Sequence, residues 1–100
     1  MAITWFWALT RMLERYGVDP DDVFDVIDAW VTAKRPVWFR TATDPASGLT
    51  TFVIWGRPGG GTLTAVYAHR KGSDTEVYAA RYLGPDQIAE FEKWEATRND

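Results

Sequence analysis

The chain predicts an α+β fold: two N-terminal helices, a four-stranded antiparallel meander sheet and a C-terminal helix. Three observations predict it. Apolar residues recur at helical spacing up to about residue 33 and again from residue 85. Between them the pattern changes to β-rich runs. Each run is joined to the next by a short cluster of turn residues, so neighbouring strands pair as hairpins. The order ααββββα packs most simply as two layers.

The first helix is predicted over residues 3–16, where Phe6, Leu9, Leu13 and Tyr16 form one stripe and Gly17 supplies the C-terminal stop. Asp19-Pro20-Asp21-Asp22 then starts the second helix. Asp19 is an N-cap, Pro20 suits the first turn, and the acids sit at the positive end of the helix dipole. That helix presents Val23, Ile27 and Trp30 and fades near Ala33.

Strands follow at about 37–43, 50–56, 62–70 and 75–82. Their turns are Asp44-Pro45-Ala46-Ser47-Gly48, Pro58-Gly59-Gly60-Gly61 and Lys71-Gly72-Ser73-Asp74. A last helix over about 85–97 carries Ile88, Phe91 and Trp94 on one stripe. Pairing across the turns predicts one aliphatic face of Val37, Phe39, Val53, Trp55, Val66, Val77 and Ala79. The other face would hold Trp38, Arg40, Phe52, Ile54, Tyr67, His69, Tyr78 and Tyr82. A one-residue slip exchanges the faces of a strand.

At 100 residues and 46% apolar, the chain predicts one domain with a single core, and six Trp supply much of its bulk. There is no Cys, and His69 is the only His. Disulfides, thiolate metal sites and a His cluster for zinc are thereby excluded. No cofactor is expected. The apolar opening from Ile3 to Leu9 is far short of the roughly 20 residues that span a bilayer and has no signal-peptide shape. A soluble, cytoplasmic protein with no membrane partner is the expectation.

Net charge is −3 but unevenly spread. Residues 1–33 carry two cations and six anions, residues 34–82 seven and three, and residues 83–100 two and five. The sheet region is therefore basic and the helices acidic. Within the basic region, Val77-Tyr78-Ala79-Ala80-Arg81 delivers an arginine to a strand end, just before Gly84-Pro85-Asp86-Gln87 opens the last helix. A cation on a rigid strand end holds a phosphate or a carboxylate, or it is a solvated edge residue. Both readings stand at this stage.

Two blocks of the chain resemble the BrnT-like toxins of the RelE superfamily. One is Arg15-Tyr16-Gly17-Val18-Asp19 before an acidic helix. The other runs from Leu63 through His69-Arg70 to Tyr78-Ala79-Ala80-Arg81 and a helix with Glu90, Phe91 and Trp94. The resemblance implies a RelE-like fold and a ribonuclease toxin held in check by an antitoxin protein. It also implies that Arg70 and Arg81 are site arginines and that Arg15 stands in for the family's lysine. The family's histidine position holds Tyr16, and another of its arginines falls on Thr51.

RNA cleavage without a metal needs a base for the 2′-hydroxyl, an acid for the leaving oxygen and cations for the phosphorane charge. Arg70 and Arg81 are the candidate phosphate holders, and His69, as the only histidine, is the one unforced acid/base candidate. Arg15, Tyr16, Arg40 and Arg57 are the further candidates for RNA contact. A regular hairpin over 71–74 would pair Arg70 with Thr75 and Thr64 with Arg81. Six strand residues, or about 20 Å, would then separate the two arginines. His69 would face Glu76 as a cross-strand ion pair, on the side opposite Arg70. The alternative function is a non-catalytic protein-binding module on the same fold, with the aromatic surface as its interface.

Overall fold

The sheet has five strands, not four, among residues 3–43, 45–59 and 61–98 of the computed structural model. Asp44 and Gly60, each in a predicted turn, lie outside the described residues. In chain order the elements are β1 (Ile3–Trp5), α1 (Leu9–Tyr16), α2 (Pro20–Thr32), β2 (Val37–Thr43), β3 (Thr50–Gly56), β4 (Thr64–Lys71), β5 (Asp74–Tyr82) and α3 (Pro85–Ala96). The fold is α+β as expected, and β2 to β5 form the antiparallel meander. The fifth strand is β1, which pairs in parallel with β5 through Ile3↔Thr75 and Trp5↔Val77. The sheet order is therefore β1-β5-β4-β3-β2.

The first predicted helix thus begins six residues late. Ile3-Thr4-Trp5 alternates as a strand does, and its partner lies some seventy positions away, where local periodicity carries no signal. Past Trp5 the helical stripe holds. Leu9 and Leu13 are fully buried one turn apart. Gly17 closes α1 in the left-handed region at φ 69°, and the Val18 amide donates to the Leu13 carbonyl at 2.9 Å. That bond pattern is a Schellman stop.

α2 begins as its sequence predicts, with the Asp19 side chain accepting from the Asp21 amide at 2.9 Å. It buries Val23, Val26 and Ala29 against the sheet. Gly56 makes the close approach possible, because a Cβ there would stand 3.1 Å from Val37 and 3.2 Å from Val26. α2 ends on Ala33 at φ 57°, a left-handed conformation that an alanine adopts at a cost.

Both sheet faces are covered, in part, by helices. One face brings Phe52, Ile54, Val66, Ala68, Val77 and Ala80 against Leu9, Leu13, Val23 and Val26 of α1 and α2. The other brings Trp55 and Ala65, with Trp38, Val53 and Tyr67 beside them, against Phe91, Ile88 and Trp94 of α3. Trp38 and Trp94 stack almost parallel, 5.5 Å between centroids.

Two of the expected face assignments change. The register Trp38↔Trp55 and Phe39↔Ile54 turns β3 over relative to the expectation, so Phe52 and Ile54 join Phe39 while Val53 and Trp55 join Trp38. β5 also changes face partway along. A bulge places Tyr78 between the pairs Ala68↔Val77 and Tyr67↔Ala79. Beyond it Ala80 and Tyr82 belong to the α1/α2 side, and Arg81 pairs with Ala65 rather than Thr64.

The Tyr82 hydroxyl uses this placement to bolt β5 to the start of α2. It donates to Asp22 Oδ2 at 2.7 Å and accepts from the Asp19 amide at 3.0 Å. Burial raises the phenol's pKa above its ordinary 10.0, and the hydrogen bond with Asp22 adds to the rise. Tyr78 is raised as well, again chiefly by burial.

Two stability predictions follow from these contacts. Tyr82→Phe should lower the unfolding free energy by about 1–2 kcal/mol at neutral pH, read from urea melts. In the parent the two raised tyrosines favour the neutral, folded form, so their contribution is complete below about pH 10. It is then lost as pH rises through the folded values, and Tyr82→Phe should show a shallower alkaline loss. Ala33→Gly should stabilise by about 0.5–1 kcal/mol, because glycine carries no Cβ penalty at positive φ.

Candidate functional site

Arg81 stands at the C-terminal end of β5, on the α3 side of the sheet, and its guanidinium is held by neutral acceptors. Its Nε donates to the Tyr67 hydroxyl at 3.0 Å and its Nη1 to Gln87 Oε1 at 2.8 Å. Gln87 also accepts from the Gly84 amide at 3.2 Å, so one side chain caps α3 and orients Arg81. Val53 and Tyr67, on the same face, are only half-buried, and Arg81 is exposed. This part of the face is open.

Arg40 lies on the same face from β2. Its guanidinium carbon sits 4.5 Å from the Trp38 ring centroid and 4.2 Å from that of Trp55. Arg40 and Arg81 line one cleft of about 390 Å3 together with Val53, Trp55, Tyr67 and Gln87. Spacing alone puts Trp38 and Arg40 on one face of a strand. The contribution of Trp55 required the register.

His69 is also on this face, further down β4. Its Nε2 lies 2.7 Å from Glu76 Oε1, the cross-strand pair that the hairpin predicts. The ring rests against Tyr78 at 5.0 Å between centroids. Burial raises the Tyr78 phenol, and a hydrogen bond with Thr51 partly offsets the rise. His69, Glu76, Thr51 and Tyr78 border a hollow of about 440 Å3 whose apolar wall is Phe6, Met12 and Leu49. Tyr67 and Gln87 are the site residues to which sequence reasoning gave no role. Both take their roles from Arg81, which the register of β5 brings to them.

The expected catalytic trio is not assembled. Arg70 pairs with Thr75 and shares the parity of Ala68, which faces α1 and α2. Arg81 faces the other way. Without the bulge at Tyr78 both arginines would share a face, so the bulge is what separates them. His69 and Arg81 do share a face. Four rungs of β4 lie between His69 and Ala65, the partner of Arg81, or about 13 Å at the strand rise.

The remaining candidates fall in two other places. Arg15 and Tyr16 are exposed at the end of α1 and border a separate hollow with Ala8, Arg11, Met12 and Glu14. Arg57, after β3, reaches across to Glu95 of α3 in a two-pronged ion pair at 3.0 and 3.3 Å. The hydrogen bond with Glu95 pushes the guanidinium's pKa further up. Arg57 thus anchors α3 rather than presenting a free charge.

Among the described residues no group of three or more His, Cys, Asp or Glu side chains could hold a metal ion. No described helix is long and apolar enough to cross a membrane. Comparison with protein-family models, with curated proteins and with solved structures found no match for this chain.

Proposed function

We propose that the chain is an RNA-acting toxin of the RelE/BrnT kind, cleaving without a metal and neutralised by a partner antitoxin. The observation that supports this reading is that Arg81 and His69 occupy one half-open face of a basic sheet, with the Tyr67 ring between them. An RNA strand laid along β4 meets the arginine with one phosphate, the tyrosine ring with a base and the histidine with a later nucleotide. Arg70 has no part in this arrangement.

The chemistry assigned to each group is limited. With Nε2 donating to Glu76, the neutral ring of His69 carries its lone pair on Nδ1. Nδ1 then takes the 2′-hydroxyl proton, and Glu76 steadies the imidazolium that forms, as an orienting carboxylate does. Arg81 carries the phosphate charge through its fork of donors. An antitoxin that covers this face needs an acidic or amphipathic segment to meet the basic strands. Such a protein resides in the cytoplasm with its RNA.

A second reading is favoured by a different surface. Trp7, just before α1, is 83% exposed, Tyr16 at the end of α1 65% and Phe24 on α2 54%. Large exposed aromatics are what protein interfaces use as anchors. On that reading the chain is a non-catalytic binding module that keeps the fold.

The purified protein incubated with total RNA in a chelator separates the two. We expect cleavage, lowered about 100-fold in His69→Gln and similarly in Arg81→Ala, with unchanged circular dichroism. Arg70→Ala should cleave like the parent. Intact RNA, together with normal growth on expression, would sink the toxin reading.

A further inference from the structure

We propose that Arg40 and Arg81 form a clamp for a phosphodiester group of single-stranded RNA. The assignment rests on the RNA reading above and replaces the expected Arg70–Arg81 pair with one that the fold does bring together.

Arg40 carries the argument. A guanidinium has five N–H donors and no acceptor. That of Arg40 lies against two indoles, 4.5 and 4.2 Å from their centroids, and its Nε is buried with no hydrogen-bond partner. Indole faces attract a cation but accept no in-plane hydrogen bonds. A buried, charge-bearing donor without an acceptor is costly unless something supplies one. No carboxylate lies within salt-bridge distance of Arg40 among the described residues, where the ion pairs are Lys34–Asp28, Arg57–Glu95 and His69–Glu76. The buried Nε is shut off from solvent, so an anion reaches this guanidinium through its Nη donors.

Arg81 supplies the second half. Tyr67 and Gln87 fix its orientation but leave its charge uncompensated. Both side chains line the same cleft of about 390 Å3, which spans the two strands between them. Two other arginines of the sheet region are spoken for or misplaced: Arg57 is neutralised by Glu95, and Arg70 is on the opposite side.

A phosphate suits the pair better than an isolated carboxylate. It offers oxygens in several directions, so two planar forks from different strands can engage it at once. The Tyr67 ring borders the same cleft and continues toward His69, which gives an attached base an aromatic surface. The arrangement therefore recognises backbone plus base, the two parts of a nucleotide.

Trp38 and Trp55 sit under Arg40, so their emission reports occupancy of the clamp. The test titrates the purified protein with an uncleavable 2′-O-methyl RNA octamer, with inorganic phosphate and with an oligoglutamate peptide of equal charge. We expect the octamer to bind most tightly and to change the emission, with inorganic phosphate competing at high concentration. Arg40→Lys keeps the charge but loses the planar fork, and should weaken octamer binding roughly tenfold. Arg81→Lys should do the same, and Arg70→Ala should bind like the parent. Thermal midpoints within a few degrees of the parent would show that both lysine variants fold. Equal octamer binding by Arg40→Lys and the parent overturns the clamp, as does tighter binding of oligoglutamate than of RNA. Octamer binding that needs Arg40, without cleavage of natural RNA, leaves the clamp standing and removes only the toxin activity. Cleavage undiminished in Arg40→Lys does the reverse.

Discussion

One extra residue in β5 organises this molecule. With Tyr78 unpaired between Ala68↔Val77 and Tyr67↔Ala79, every side chain beyond it changes face. Tyr82 turns toward α2 and meets Asp19 and Asp22, while Arg81 turns toward α3 and meets Gln87. The strand thereby ties together helices on opposite sides of the sheet. A regular ladder would send Arg81 to the α1/α2 face, the face of Arg70 but six strand residues, about 20 Å, away from it, and Tyr82 to the α3 face.

Structural charge is kept apart from available charge. Arg57–Glu95 is a closed ion pair that holds α3 on the sheet. Arg40 and Arg81 are held by aromatic rings and neutral oxygens instead. An ion pair fixes position by cancelling charge. A stack on indoles or a bond to a tyrosine hydroxyl fixes position and leaves the charge to act on a ligand. On the open half of the α3 face, Arg40 and Arg81 are two such cations beside one cleft.

Aromatic packing sets the limits of that opening. Trp94 lies flat on Trp38, Phe91 is fully buried beside it, and α3 is drawn over the Trp38–Trp55 end of the sheet. The His69 end is bordered by Phe6, Met12 and Leu49 from elsewhere in the chain. Between the two, Tyr67 remains half-buried and accessible from the cleft. The exposed Trp7 and Phe24 are not among the residues that line this cleft.

Local chemistry in the sequence determined the α+β class, the α2 start at Asp19-Pro20, the Gly17 stop and the hairpin that sets His69 opposite Glu76. Each of these depends on residues close together in the chain, where capping, turn geometry and periodicity act directly. Tertiary structure alone decided the rest. β1 needed a parallel partner some seventy residues away, and the face of β3 needed a register set by packing against α2 and α3. The bulge at Tyr78 has no signature in Val77-Tyr78-Ala79-Ala80, since one unpaired residue alters no local propensity yet reverses every face beyond it. For that reason Arg81 was legible as a candidate, while the cleft that it shares with Arg40 was not.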